Sequence, residues 1–154
     1  MDSKMKKYEL TDEKIKFRGT TLCRIRYIKD DELGGWIESE KNLSQEGNAQ
    51  VLGDACVWGN AQVFGNAKIS GNTFVYDDAR VYGNACVSGN VHIYGDAQVF
   101  GNAQVLGDAR VFGNAKILGN AQVFGNAQVF GNAYVSGNTK VSGDTKVSRK
   151  YCNY

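Results

Sequence analysis

The sequence has no proline, one histidine (His92) and no run of eighteen apolar residues. The missing apolar run excludes a membrane-spanning helix, and the opening segment MDSKMKKYEL lacks the apolar centre of a secretory signal, so a cytoplasmic protein is expected. A formal charge of only +2 provides no field to gather nucleic acid or an anionic membrane, and neither is expected as a partner. Cys23, Cys56, Cys86 and Cys152 share no metal-like spacing, and in that compartment they read as reduced structural thiols. What is plentiful is glycine, at nineteen residues, with Val, Tyr and Phe leading the apolar set. That balance favours strands joined by frequent tight turns.

From Gly47 to Ser148 a six-residue unit, GNAxVx, repeats seventeen times without an insertion. A period of this kind dictates the fold. Ala in the third place and Val or Ile in the fifth share one face of a short strand, while the fourth and sixth places share the other. Gly with Asn or Asp supplies a corner, both residues being expected to tolerate positive φ. An antiparallel meander would mix Ala and Val with Gln and Lys on both faces. A chain that turns always in the same sense keeps every Ala and Val inside, which is a parallel β-helix.

The pattern V-x-G-N-A-x, from Val51 or Val63 onward, resembles the hexapeptide repeat of left-handed β-helix proteins. The resemblance implies an all-β, single-stranded left-handed parallel β-helix with eighteen residues in each triangular coil, about six coils in all. It covers about two thirds of the chain. The place after the aliphatic residue, small in that family, is often aromatic here, as at Phe64 and Tyr82.

Residues 1–46 break the period. Lys14 to Lys29 reads as a hairpin about Arg18 and Gly19, with Cys23, Ile25 and Tyr27 alternating against Arg24 and Arg26. Solenoids need covered ends, so this segment is expected to be an N-terminal β cap with a first irregular coil, ahead of the helix at 47–148 and a tail at 149–154. The run LGGWIESEKNLSQEGNAQV, Leu33 to Val51, resembles the opening of uncharacterised hexapeptide-repeat proteins of bacteria and their phages. That likeness implies a small cytoplasmic protein, phage-borne in one reading, and no particular chemistry.

Many left-handed β-helix proteins are acyltransferases with a histidine base, so His92 is the residue to weigh. It occupies an outward fourth place with no insertion beside it to build a pocket, which argues against catalysis. A zinc held by three histidines is impossible with one. Asp54, Asp78, Asp96, Asp108 and Asp144 stand in the corner slot otherwise held by Asn, and they read as turn formers. The glycines never gather as a phosphate loop, and no clustered acids suggest calcium. No enzyme activity, catalytic residue, metal or cofactor is expected.

The informative variation is aromatic. With eighteen residues per coil the sixth places fall into three columns. One holds Trp58, Tyr76, Tyr94, Phe112, Phe130 and Ser148; another Phe64, Tyr82, Phe100, Leu118 and Ser136; the third carries one ring, Phe124. Rings at the inter-strand spacing of about 4.8 Å could stack on one another within the chain. Even with half their area hidden, eight rings would leave on the order of 800 Å² outward. Monomers rarely show apolar patches beyond about 300–600 Å². The sequence therefore favours a non-enzymatic, self-associating binding or scaffold protein, a dimer or trimer, using Trp58, Tyr76, Tyr94, Phe112, Phe130, Phe64, Tyr82 and Phe100. A host protein or small molecule is the other partner considered, as in a phage-borne inhibitor of a host defence protein or a sequestering protein for a signalling ligand. The alternatives are an acyltransferase and a polymer-forming cytoskeletal β-helix. Thr and Ser in the last units and the basic RKYCNY end suggest that both ends are blunted against polymerisation.

Overall fold

The computed structural model describes residues 5–153, with side chains described for residues 5–150. The hexads build a β-solenoid. Each contributes a strand of two residues, or four at Tyr134–Gly137, as in β4 (Gln50–Val51), β5 (Cys56–Val57) and β6 (Gln62–Val63), preceded by a three-stranded antiparallel start of β1 (Tyr8–Phe17), β2 (Thr20–Tyr27) and β3 (Glu32–Ile37). Successive strands take successive sides, so three flat sheets form. Face A continues from β3 through β5, face B starts at β6 and face C starts at β4. Parallel partners lie eighteen residues apart, for example Gln62 with Arg80 and Cys86 with Gln104. The first coil is two residues longer, pairing Trp36 with Cys56, and the last two shorter, pairing Tyr134 with Lys150.

The strand alternation follows the hexad. Third-place Ala and fifth-place Val or Ile are buried from Ala49 to Val141 and form one continuous core. Fourth-place amides donate to third-place carbonyls one coil on, as Gln98 N does to Ala115 O at 2.9 Å. Sixth-place amides do the same to the fifth place, as Phe100 N to Ile117 O at 2.9 Å. Where threonine replaces the buried alanine, its hydroxyl is satisfied locally: Thr73 Oγ1 donates to Ser70 O at 2.8 Å and Thr139 Oγ1 to Ser136 O at 2.7 Å.

The corners differ from the sequence expectation in one respect. Only the first place takes positive φ, between 61° and 93° at the repeat glycines, with Asp77 at 58° in that slot. Asn and Asp in the second place do not. At Gly101 (φ 68°) an added Cβ would lie 2.8 Å from Gly119 N, so the corner needs glycine for space as well as for conformation. The asparagines instead form a side-chain ladder. From Asn48 through Asn66, Asn84, Asn102 and Asn120 to Asn138, each Nδ2 donates to the next Oδ1 at 3.1 to 3.4 Å.

The N-terminal end is closed strand by strand. Face A is extended by β1, β2 and β3. On face C the Tyr27 hydroxyl replaces a strand neighbour, accepting from Val51 N at 2.7 Å and donating to Val51 O at 3.1 Å. Burial pushes that phenol up to about 12, so it keeps the proton it donates. Lys7 Nζ adds a bond to Ala49 O at 2.7 Å. On face B the Leu43 bridge to Val63 supplies the pairing, while buried Asn42 donates to Ala61 O at 2.9 Å and Tyr8 Oη to Leu43 O at 2.5 Å. Gln45 clamps the opening of β1, accepting from Lys7 N at 2.8 Å and donating to Tyr8 O at 3.0 Å.

The hairpin turns at Arg18 and Gly19 as the sequence implies, but its alternation is displaced. Leu22, Ile25 and Tyr27 are buried and Cys23 is only half-buried, because β2 carries a register shift between Arg24 and Arg26 against β3. At the other end the last strands are Lys140–Val141 on face C, Lys146–Val147 on face A and Lys150–Asn153 on face B, with no further strand beyond them among the described residues.

Candidate interaction face

Because the fourth and sixth places both point outward, each face carries two side-by-side columns. On face A the sixth-place column is a continuous stack. Trp58, Tyr76, Tyr94, Phe112 and Phe130 follow one another at centroid separations of 4.6, 5.0, 5.0 and 5.2 Å, with planes within 9° of parallel. Face B carries a shorter stack, Phe64, Tyr82 and Phe100, at 4.8 and 4.9 Å. Face C has no such stack: its column is Leu52, Ser70, Ser88, Leu106, Phe124 and Ser142. The coil repeat fixes both spacing and tilt, since each ring leaves an identical backbone one strand spacing away.

Stacking hides the flat sides of the rings. Each of the eight is buried or half-buried, with Trp58 only 8% exposed, so the columns present ring edges to solvent. The outward area is thus smaller than a count of rings suggests, and the self-stacking that the sequence allowed is present. Tyr134, on face B, is 38% exposed.

The two ends of the long stack differ. The tip of the β1–β2 hairpin folds over its start. Phe17 packs at 5.3 Å from Trp58 and 4.9 Å from Phe74, and the Arg18 guanidinium lies 5.7 Å from the ring centres of both Phe74 and Tyr76. Leu22, Trp36, Cys56 and Trp58 form a second apolar cluster beneath this tip. Burial, with a smaller push from Asp54, raises the Cys56 thiol to about 11, in keeping with a structural, protonated thiol. Beyond Tyr76 the hairpin makes no ring contact, and Tyr94, Phe112 and Phe130 continue the stack without it. Phe17, Arg18 and Phe74 were not singled out by the repeat, since two lie outside it and Phe74 is the one fourth-place Phe. A ring beside a hairpin turn was the available signal.

The family model described as the YdcK beta solenoid repeat matches residues 73–89 and again 79–95. That stretch is similar to a YdcK beta solenoid repeat. The two matches are offset by six residues, the length of one strand and corner, and each spans nearly a full coil. No curated protein matches the chain.

His92 lies in the fourth-place column of face A, half-buried, with its ring 5.0 Å from Phe74 in an edge-on contact. Burial lowers its pKa first, followed by the cations of Arg110 and Arg18. Its imidazole has no hydrogen-bond partner among the described residues and faces cations rather than an orienting carboxylate. A depressed histidine binds fewer protons folded than unfolded. Stability is therefore complete above the ordinary value of about 6.5 and falls as pH drops through it towards the folded pKa. We expect the melting midpoint to fall more for the unaltered protein than for His92→Gln between about pH 7.5 and pH 5.5. Equal falls would mean that His92 is not the group responsible.

Cys152 lies outside the residues whose side chains are described, and residues 1–4 lie outside the described structure. No helix among the described residues is long and apolar enough to cross a membrane.

Proposed function

We propose that this β-solenoid is a non-enzymatic binding or scaffold protein that associates with further copies of itself through the open part of face A. The observation that carries the reading is the unequal cover of one ring stack. Where the chain has a hairpin to spare, it seats a phenylalanine and an arginine on Trp58, Phe74 and Tyr76. The same stack then runs on through Tyr94, Phe112 and Phe130, a straight hydrophobic ridge with Arg110 and Gln128 beside it. Aromatic residues with arginine among them are the side chains that dominate interface energetics.

Closed association through a face fits the ends of the molecule better than polymerisation. At the N-terminal end Tyr27, Lys7, Tyr8 and Asn42 occupy the edges of faces B and C, and face A ends in the antiparallel strands β1 to β3, so the parallel stacking of coils is not continued from that end. The setting of His92, between a ring and two cations, supports a structural role over that of a general base. The narrower readings, an inhibitor of a host protein or a sequestering protein, would use the same ridge against a different partner.

Tyr94→Ser combined with Phe112→Ser tests the assignment. A ring at the centre of an interface is worth about 2 kcal/mol or more, so association should weaken by on the order of several hundredfold, with the far-ultraviolet β signal retained. Measured by light scattering, an unchanged mass at every concentration would confine these rings to stacking within one chain.

A further inference from the structure

At the seam between the N-terminal cap and the first regular coil, on face C, lies a depression of about 330 Å³. Its walls come from three separate stretches: Lys7 ahead of β1, then Tyr27 at the end of β2 with Lys29 and Asp30 after it, then Asn48, Gln50 and Lys68 of the first two coils. Three ammonium groups thus border one cavity with a single carboxylate among the lining residues, a local excess of two positive charges on a chain whose whole net charge is +2. Among the described residues none of Lys7, Lys29 and Lys68 forms a salt bridge, although acids elsewhere on the cap are used this way: Arg26 engages Glu9 and Asp31, and Lys6 engages Glu40 at 3.2 Å. Amide groups of Asn48 and Gln50 add neutral donors beside the cations.

The three lysines are not equivalent. Lys29 and Lys68 are exposed and free to swing towards a ligand. Lys7 is held in place, its Nζ donating to Ala49 O at 2.7 Å and Gly47 O at 3.4 Å. Burial lowers its pKa, because its charge has been brought partly out of water, and no carboxylate pairs with it among the described residues. An anion in the cavity would supply one. The volume sits at the small end of the range of about 300–1,000 Å³ typical of small-molecule sites. It also lies away from the ring ridge of face A, so it stands or falls independently of the proposed association.

We infer that this cavity is a binding site for a small phosphate-bearing anion, held by Lys7, Lys29 and Lys68 with the Asn48 and Gln50 amides as additional donors. Tetrahedral oxyanions suit the arrangement, since several acceptor oxygens on one centre can meet ammonium and amide donors arriving from three directions. Recognition by ammonium groups carried on both the cap and the first two coils also ties ligand binding to the docking of the cap, so a bound anion should raise the melting midpoint.

The probes are inorganic phosphate, pyrophosphate and adenosine monophosphate, titrated calorimetrically at low ionic strength into the full chain. Lys29→Glu/Lys68→Glu removes two exposed cations without touching the bonds that Lys7 makes to the cap, and Lys116→Glu/Lys140→Glu makes the same change in net charge on distant coils. We expect binding of at least one probe below about millimolar, weakened by about tenfold or more in the first variant and by less than about threefold in the second, with the effect shrinking as salt rises. A tighter constant for the nucleotide than for inorganic phosphate would identify the source as an organic phosphate ester, and equal constants would identify the free ion. Absence of binding by all three probes at several times millimolar, or an equal loss in both variants, overturns the inference.

Discussion

Deleting Gly107–Phe124, one whole coil, is expected to leave a folded, shorter protein that still associates, whereas deleting only Gly107–Phe112 should leave a folded protein that associates poorly. Both deletions respect the six-residue unit, so in each every Ala and Val still points inward and each strand still finds a parallel neighbour. They differ in which residue follows Tyr94 along face A. Removing eighteen residues places Phe130 on Tyr94, and the column keeps four rings in succession. Removing six places Leu118 there and Ser136 after it, so the ridge ends at Tyr94, just beyond the rings that the hairpin tip already covers. Stability in a solenoid is close to a sum of neighbouring-coil contributions, and both proteins should retain a β spectrum and a cooperative melt. The association constant should change by less than about tenfold in the longer deletion and fall by about a hundredfold or more in the shorter one. Equal association by the two would mean that column identity carries no information.

This contrast rests on features legible in the sequence. The inward Ala and Val follow from the alternation inside the six-residue unit, the three faces and the membership of each ring column follow from the eighteen-residue coil that the likeness to hexapeptide repeats implies, and nothing between Val51 and Val135 interrupts that coil. Other features were not legible because no period expresses them. The register shift in β2 buries Leu22 in place of Cys23, and it depends on how a hairpin meets the first coil. Asn at the corners looked like a second left-handed residue. With the glycine carrying the positive φ, the amide is left free to bond its copy in the next coil. The use of the Tyr27 hydroxyl as a substitute strand neighbour for Val51 requires contact between residues 24 positions apart, and an alternating pattern could only mark the ring as buried. On the candidate face the sequence marks the rings and allows their mutual stacking, but no period marks the hairpin cover at Phe17 and Arg18.

The second large effect concerns the junction of cap and coil. Gly34→Ala and Gly35→Ala should each lower the melting midpoint far more than Gly19→Ala. At Gly34 an added Cβ would stand 2.6 Å from the Tyr27 ring and 2.8 Å from Val51 O; at Gly35 it would stand 2.6 Å from Ala55 O and 2.7 Å from Val51 Cγ1. Tyr27 cannot yield, since its hydroxyl holds both polar groups of Val51, and the Ala55 carbonyl accepts from Trp36 N at 2.9 Å. The chain must therefore lift the cap from the first coil. Overpacking of this kind costs about 1–3 kcal/mol, and the loss of the edge bonds of face C adds to it. For a chain of this length each kcal/mol corresponds to about 2–4 °C, so a combined loss of about 3 kcal/mol lowers the midpoint by about 6–12 °C at either position. Gly19, at φ 81°, has nothing within 4 Å of an added Cβ and should show only the conformational cost of about 1 kcal/mol. A fall at Gly19 as large as at Gly34 would locate the sensitivity in the hairpin turn and not in the seam beneath it.

The most direct test of self-association through face A is the absolute mass of the unaltered protein, measured by light scattering coupled to size separation from micromolar to about tenfold higher concentration. The ridge of Tyr94, Phe112 and Phe130 predicts a discrete species of two or three chains, each of 16.8 kDa, with no growth into longer polymers. A constant mass of 16.8 kDa across that range would contradict the account and leave the ring stack as an internal support of a monomeric solenoid.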